Sequence, residues 1–374
     1  MVSAIAAILG YLITPDSTPF ANHQQLELAT HKPGQRANLL LIAKNREPEK
    51  ITILRKMIWG KPADHTSIPI QRYWFEGAWL YYETYAGQAG YPGLENSVWL
   101  PDILLPVAHD QEPAKEHNDS VSFLTLSGER YTKAVVTMQQ QIEKQHLVQR
   151  RFLLGTDRFG RDMLSQLIIG TRVSLSVGFI AVFISLVIGV TLGSLAGYFR
   201  GRLDDLIMWL INVIWSIPTL LLVIAITFAI GKGFWQVFLA VGLTMWVDVA
   251  RVARGQVLSL REKEFVEAAR ALGLGSYRII TRHILPNIMG PVIVISAANF
   301  ASAILIEAGL SFLGIGVQPP MPSWGTMIRE HYGYIILDKG YLAFLPGVMI
   351  MLMVLAFMIT GNSLRDALDK TPQF

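Results

Sequence analysis

Between Val173 and Tyr198 the chain carries no Asp, Glu, Lys or Arg. A run of that length exceeds the ~20 apolar residues that cross a bilayer as a helix. Lipid offers no hydrogen-bond partner to a bare backbone, so an open segment of this kind must be helical. Largely apolar runs follow at Leu206–Ile230, Phe234–Ala250, Ile288–Ile315 and Tyr341–Leu364, with Asp248 and Glu307 as the acids within them, which predicts an all-α membrane protein with several spans. Gly189, Gly193 and Gly197 recur at a spacing of four in the first run and predict a smooth face for close helix packing. Composition agrees, with 52% hydrophobic and 16% charged residues. A net charge of +4 is too small to argue for nucleic acid, and the absence of cysteine excludes disulfides and thiol chemistry.

A charged island interrupts these runs. Glu262 to Leu272 reads as a helix with acids in its early turns, Arg270 near its end, and Gly273 placed to stop it. Ala268, Ala269 and Ala271 leave much of its surface bare, so a partner's backbone can approach closely. Arg278, Arg282 and His283 add charge beside it, and Pro286 is expected to end the short helix that follows. The island reads as a docking knob on one side of the membrane.

The N-terminal third is different material. Met1–Ile13 (1–13) is apolar but short of a span, and reads as the outer end of a first membrane helix that begins upstream. Residues 14–151 mix both charges, prolines and short apolar runs, and predict a small α+β domain inserted outside the cytoplasm. In it Leu39–Ala43, Ile51–Met57 and Val121–Leu126 read as strands and Thr132–Val148 as a helix. The aromatic cluster Tyr73, Trp74, Phe75, Trp79, Tyr81, Tyr82 and Tyr85 could bind a ligand or partner, and is expected rather to form the core of such a domain. Residues 152–172 contain Gly155-Thr-Asp-Arg-Phe-Gly-Arg-Asp162, read as a surface elbow. There Thr156 or Asp157 caps a helix, Gly160 permits a turn, and Arg161 pairs with Asp162.

Residues 173–364 would form the membrane core, with the charged loop 251–289 inside it and a polar tail at 365–374. The loop's Arg251, Arg254, Arg261, Lys263, Arg270, Arg278 and Arg282 make it cytoplasmic by the positive-inside rule. Counting spans then puts the tail inside and residues 14–151 outside. Ser296, Asn299, Glu307 and Ser311 share one stripe of a span and are possible pathway-lining groups. Glu307 is either a functional carboxylate or a local cap near the outer rim.

The pattern Glu-Ala-Ala, three residues, Gly, and Leu-Pro after a fixed gap resembles the coupling loop of ATP-binding cassette importer permeases. Here it comprises Glu267, Ala268, Ala269, Gly273, Leu285 and Pro286. His283 stands where the general pattern has an aliphatic residue. The elbow at 154–165 and the segment Gly309–Gly325 resemble the dipeptide, oligopeptide and nickel branch of the same permeases, so the resemblance runs from about Gly155 to the C-terminus. It implies about six transmembrane helices of the type I ABC importer permease fold, in the cell inner (plasma) membrane. It also implies partners: two ATP-hydrolysing subunits, a second homologous permease and an extracytoplasmic solute-binding protein, set in membrane lipid. The role implied is an ATP-driven importer's translocation pathway, for peptides, nickel or another small solute. A membrane-anchored sensor or assembly factor, and a channel or secondary transporter, are the readings from other classes.

No P-loop, His-Glu-x-x-His, paired cysteines or nucleophile elbow occurs. No catalytic residue, cofactor or metal site is therefore expected, and ATP hydrolysis is assigned to partner subunits.

Overall fold

The computed structural model describes residues 2–87, 91–110, 115–117, 119–231 and 233–369. The chain divides into two units, one holding Ile8–Ile169 with Ile336–Lys339, the other built on Gly170–Ile335 and continuing to the C-terminal helix.

The first unit opens with the second half of the apolar helix α1 (Val2–Ile13). Its centre is the strand β1 (Arg36–Ala43), which pairs antiparallel with β2 (His65–Glu76) on one side and with β8 (Leu147–Arg151) on the other. A strand hydrogen-bonded on both edges and covered on both faces needs a continuous apolar run, and Asn38-Leu-Leu-Leu-Ile-Ala43 supplies one. Leu40 packs with Ile70, Leu80 and Met138, while Leu39 points the other way onto Leu28 and Phe152. β3 (Trp79–Thr84) and β4 (Glu95–Trp99) complete a sheet of order β4-β3-β2-β1-β8. A smaller sheet joins β5 (Lys115–His117), β6 (Ser120–Leu124) and β7 (Arg130–Ala134). Helices α2 (Ile53–Trp59), α3 (Leu100–Leu104) and α4 (Val135–Gln145) fill the connections.

Two local expectations fail here. The strand expected at Ile51–Met57 is the helix α2: the Thr52 hydroxyl accepts from Arg55 N, Gly60 closes it at φ +77°, and none of its residues is buried. Apolar content suggested a strand, but capping and the absence of a pairing partner decide for helix. The helix expected over Thr132–Val148 is confined to α4, because Thr132 pairs with Ser122 and Val148 with Leu39. The aromatic cluster divides by strand alternation, with Tyr82 in the core, Tyr73 and Trp79 exposed, and Trp74 stacked on Tyr81.

The elbow is an anchor within this unit. The Asp157 carboxylate accepts from the backbone of Phe159 and Arg161, and from Arg161 Nε at 2.5 Å. Arg161 thus pairs with Asp157. Asp162 accepts from Ser165 N and Oγ at the start of α5 (Met163–Phe199). Capping favours the residue just before the first turn, and that residue is Asp162. Gly160 is left-handed, and a Cβ there would lie 1.7 Å from the carbonyl oxygen of Gln25.

In the second unit four helices are long and apolar enough to cross a membrane. They are α5, α8 (Phe234–Arg261), the continuous Ser276–Phe312, and α13 (Tyr341–Asp369). The run Leu206–Ile230, expected as one span, is α6 (Gly201–Trp215) and α7 (Thr219–Ile230), bent by 94°. Pro218 lacks an N–H and disfavours helical geometry at Ile217, so the ladder breaks at that point. The predicted half-dozen spans resolve into four continuous helices, this bent pair and the short α1. The glycine face of α5 packs on α8: a Cβ at Gly189, Gly193 or Gly197 would fall within 3 Å of Trp246, Ala250 or Arg254 carbonyl oxygens, respectively. α9 (Glu264–Ala271), α10 (Ser276–Ile279), α11 (Leu285–Phe312) and α12 (Trp324–His331) complete the unit.

Candidate coupling surface and intramembrane cavity

α9 leaves the end of α8 after only Glu262 and Lys263. Glu264 and Glu267 occupy its first turn and Arg270 its last, the distribution its dipole favours. Val266 and Ala269, three residues apart, turn inward against Val257, Ile280 and Ile284. Glu267 and Ala268 are exposed, and around them Phe265, Leu272 and Tyr277 present large apolar side chains to the outside, the last two about 80% exposed. The helix stops at Gly273, whose φ of +74° meets no crowding at the Cβ position; glycine is there for its backbone. Gly273 N donates to Arg270 O and Leu274 N to Ala269 O, which closes the helix end.

Pro286 does not end a helix. Ser276–Phe312 runs on through a π turn at Ile280–Ile284, and Pro286 sits in the first turn of α11, with Leu285 half-buried and Pro286 exposed. The widened turn accommodates a residue that cannot donate and whose ring crowds the preceding turn. Asn287 Nδ2 donates to the His283 carbonyl at 2.7 Å, one turn back.

Charged contacts tie α8 to α6. Arg254 Nε and Nη2 hold the Asp204 carboxylate at 2.6 and 2.7 Å. Arg251 Nη2 donates to Asn212 Oδ1 at 3.0 Å while its guanidinium lies 3.8 Å from the Trp215 ring. Arg200 meets Glu262 at 2.6 Å, and the Tyr198 ring faces the guanidinium of Arg270 at 5.3 Å.

Above this ladder, where α6 bends into α7, lies a cavity of about 170 Å³. Trp215, Thr219, Thr244, Asp248, Asn299 and Ser302 are among its walls. The stripe expected on α11 is inward-facing, with Asn299, Glu307 and Ser311 buried and Ser296 half-buried. Only Asn299 of these reaches the cavity. Ser296 Oγ donates to the Val292 carbonyl. Glu307 is fully buried, and accepts at Oε1 from Ser311 Oγ at 2.7 Å. Ser311 Oγ also accepts from Val317 N, and Gly316 and Gly325 approach the Ser311 backbone and side chain too closely for any Cβ. Ser323 faces the carboxylate, yet Oε2 has no hydrogen-bond partner among the described residues. Asp248 lies near the end of the run Phe234–Ala250, but α8 continues beyond it to Arg261; a carboxylate within an otherwise apolar run was the signal available in the sequence.

Fold and composition together define a polytopic membrane protein with an exposed short helix, α9, between two of its long apolar helices. The sequence model for the binding-protein-dependent transport system inner membrane component matches residues 189–372. The di/tripeptide transport system permease protein DppC of Pseudomonas aeruginosa is 44% identical over 59% of this chain and 73% of its own length. The glutathione transport system permease protein GsiD of Pectobacterium atrosepticum is 40% identical over 58% and 71%. A chain of the inward-facing MetNI methionine ABC transporter is 21% identical, covering 55% of this chain and 97% of its own, at a TM-score of 0.47. The chain belongs to the binding-protein-dependent transport system inner membrane component family, and is a multi-pass inner-membrane permease subunit.

Proposed function

We propose that this chain forms half of the translocation pathway of an ATP-driven importer for peptides. Its partners in that reading are a second homologous permease, two ATP-hydrolysing subunits and an extracytoplasmic solute-binding protein. The loop 251–289 and the tail 365–374 are cytoplasmic, and residues 14–151 form an extracytoplasmic domain between a first membrane helix and the elbow 152–172. The peptide assignment draws on the names of the relatives just described. The observation that carries the coupling role is the exposed face of α9, where Glu267 and Ala268 stand within an apolar rim while Ala269 is locked inward.

The route for mechanical work follows from the packing. Nucleotide-driven closure of the ATPases displaces α9. Val266 and Ala269 pass that displacement to α8 and to the π turn leading into α11, with Gly273, Leu285 and Pro286 setting the loop's shape. Arg254 and Arg251 then carry α6 with α8, and the cavity beside Asn299 opens to one side or the other as a rigid-body rotation. Ser296 and Glu307 remain pathway proposals through the same helix; Glu307→Gln should change transport and leave assembly intact.

The deciding experiment is affinity purification from native membranes in mild detergent, with the chain as found and with Ala268→Trp. A stoichiometric ATPase that accompanies the first and leaves the second, while the mutant stays folded, is the expected result. An intact permease complex that never carries an ATPase would overturn the reading.

A further inference from the structure

The first unit contains a polar pocket of about 250 Å³ that no transport role uses. Its walls include Asp16, Thr18, His23, Lys61, Asp64, His65 and Arg150. Among these residues Thr18 Oγ1, His23 Nε2 and Arg150 Nη2 are buried atoms without a hydrogen-bond partner. Buried polar atoms are almost always paired, so three orphans around one pocket call for an occupant.

The acids nearby cannot supply it. Asp16 is buried and its two oxygens already accept from the backbone N–H groups of Thr18 and His23. Asp64 is paired with Lys61. Arg150 forms no ion pair among the described residues; Phe152 lies 5.3 Å from its guanidinium and helps hold it in place. His23 is held below the ordinary imidazole range, chiefly by burial, with Asp16 opposing and Arg150 and Lys44 reinforcing, so it enters the pocket as a neutral ring able to donate one N–H. No cluster of three metal-ligating side chains occurs among the described residues.

We propose that this pocket binds an oxyanion, the carboxylate or phosphate group of a small solute, through Arg150, Thr18 and His23. A guanidinium N–H and a hydroxyl without partners, joined by His23 in its Nε2–H tautomer, form a donor set suited to such a group, and a guanidinium that makes no ion pair of its own among the described residues favours an anion over a neutral acceptor. The inference is independent of the cargo proposed above.

Equilibrium dialysis of the purified full chain in detergent, against labelled inorganic phosphate and separately against labelled acetate, tests it. The expected result is one saturable equivalent of at least one probe, weakened tenfold or more by Arg150→Gln and threefold or more by Thr18→Val. Binding of phosphate alone assigns a phosphate group and binding of acetate alone a carboxylate. Should Arg150→Gln fail to fold, Thr18→Val and His23→Gln decide by the threefold criterion. Saturation by neither probe, or binding that the folded variants leave unchanged, overturns the proposal.

Discussion

Arg254 on α8 grips Asp204 on α6 with two parallel hydrogen bonds, Nε to Oδ1 at 2.6 Å and Nη2 to Oδ2 at 2.7 Å. A fork matched to a carboxylate is directional as well as strong, so it fixes the rotation of one helix against the other. Arg254→Lys keeps the charge and loses the fork. We expect it to cost about 1–3 kcal/mol, and Asp204→Asn to cost little more when added to it. A double-mutant cycle on thermal unfolding of the solubilised chain measures the coupling; additive losses would show that the pair does not tie the helices.

Close packing of α5 on α8 gives a sharper contrast. A Cβ at Gly193 would stand 2.4 Å from the Ala250 carbonyl, whereas Gly255 has nothing within 4 Å. Gly193→Ala should destabilise by about 1–3 kcal/mol. Gly255→Ala should be neutral or stabilise by up to about 1 kcal/mol. The ranking of the two unfolding midpoints is the readout, and the reverse order would refute the packing argument.

Ser311 works as a clasp between α11 and the segment that follows it, donating to Glu307 and accepting from Val317 N. Ser311→Ala removes both bonds and should cost about 1–3 kcal/mol. Glu307→Gln keeps a carbonyl oxygen for Ser311 and should cost less. Hydrogen exchange at Val317 reports the clasp directly: it should quicken in Ser311→Ala and change little in Glu307→Gln.

His31 and His65 are each held below the ordinary imidazole range, in both cases first by burial; at His65 the neighbouring His146 adds to it. In the unfolded chain they titrate near about 6.5. Below that pH the unfolded state takes up protons that the folded state resists, so acid weakens the first unit. Its stability should be fully present above about pH 6.5 and decline toward pH 5. Hydrogen exchange along β2 should accelerate over that interval, and His65→Gln should flatten the response; an exchange rate indifferent to pH after correction for intrinsic chemistry would exclude it.

The membrane class, the approximate number and order of the spans, and the short charged helix between two of them were legible in the chain itself. Each rests on local information: an uncharged run from Val173 to Tyr198 admits one environment, and Glu264, Glu267, Arg270 and Gly273 specify a short helix without reference to anything distant. The glycine spacing on α5 also announced a close approach, since only a missing side chain makes one possible. Strand content before residue 151 was partly readable, and failed at α2, where the apolar residues of a capped helix resemble those of a strand until pairing is known.

What lay beyond the sequence depends on which groups meet across long separations. Pro218 marked a break in the run after Leu206, but the 94° angle of the bend and the cavity beside it, which α8 and α11 also line, are not local properties of that run. Pro286 looked like a stop, and the π turn before it carries the helix through. Ser296, Asn299 and Glu307 share one stripe, yet only Asn299 reaches the cavity that other helices help to wall, while Glu307 pairs with Ser311 one turn further along α11. Arg150 and Thr18 are separated by most of the first unit's sequence and come to line one pocket only in the folded chain. Hydropathy and capping act within a few residues and so can be read along the chain; burial, bend angle and the pairing of charges are settled by the other helices and strands, which the order of residues does not position.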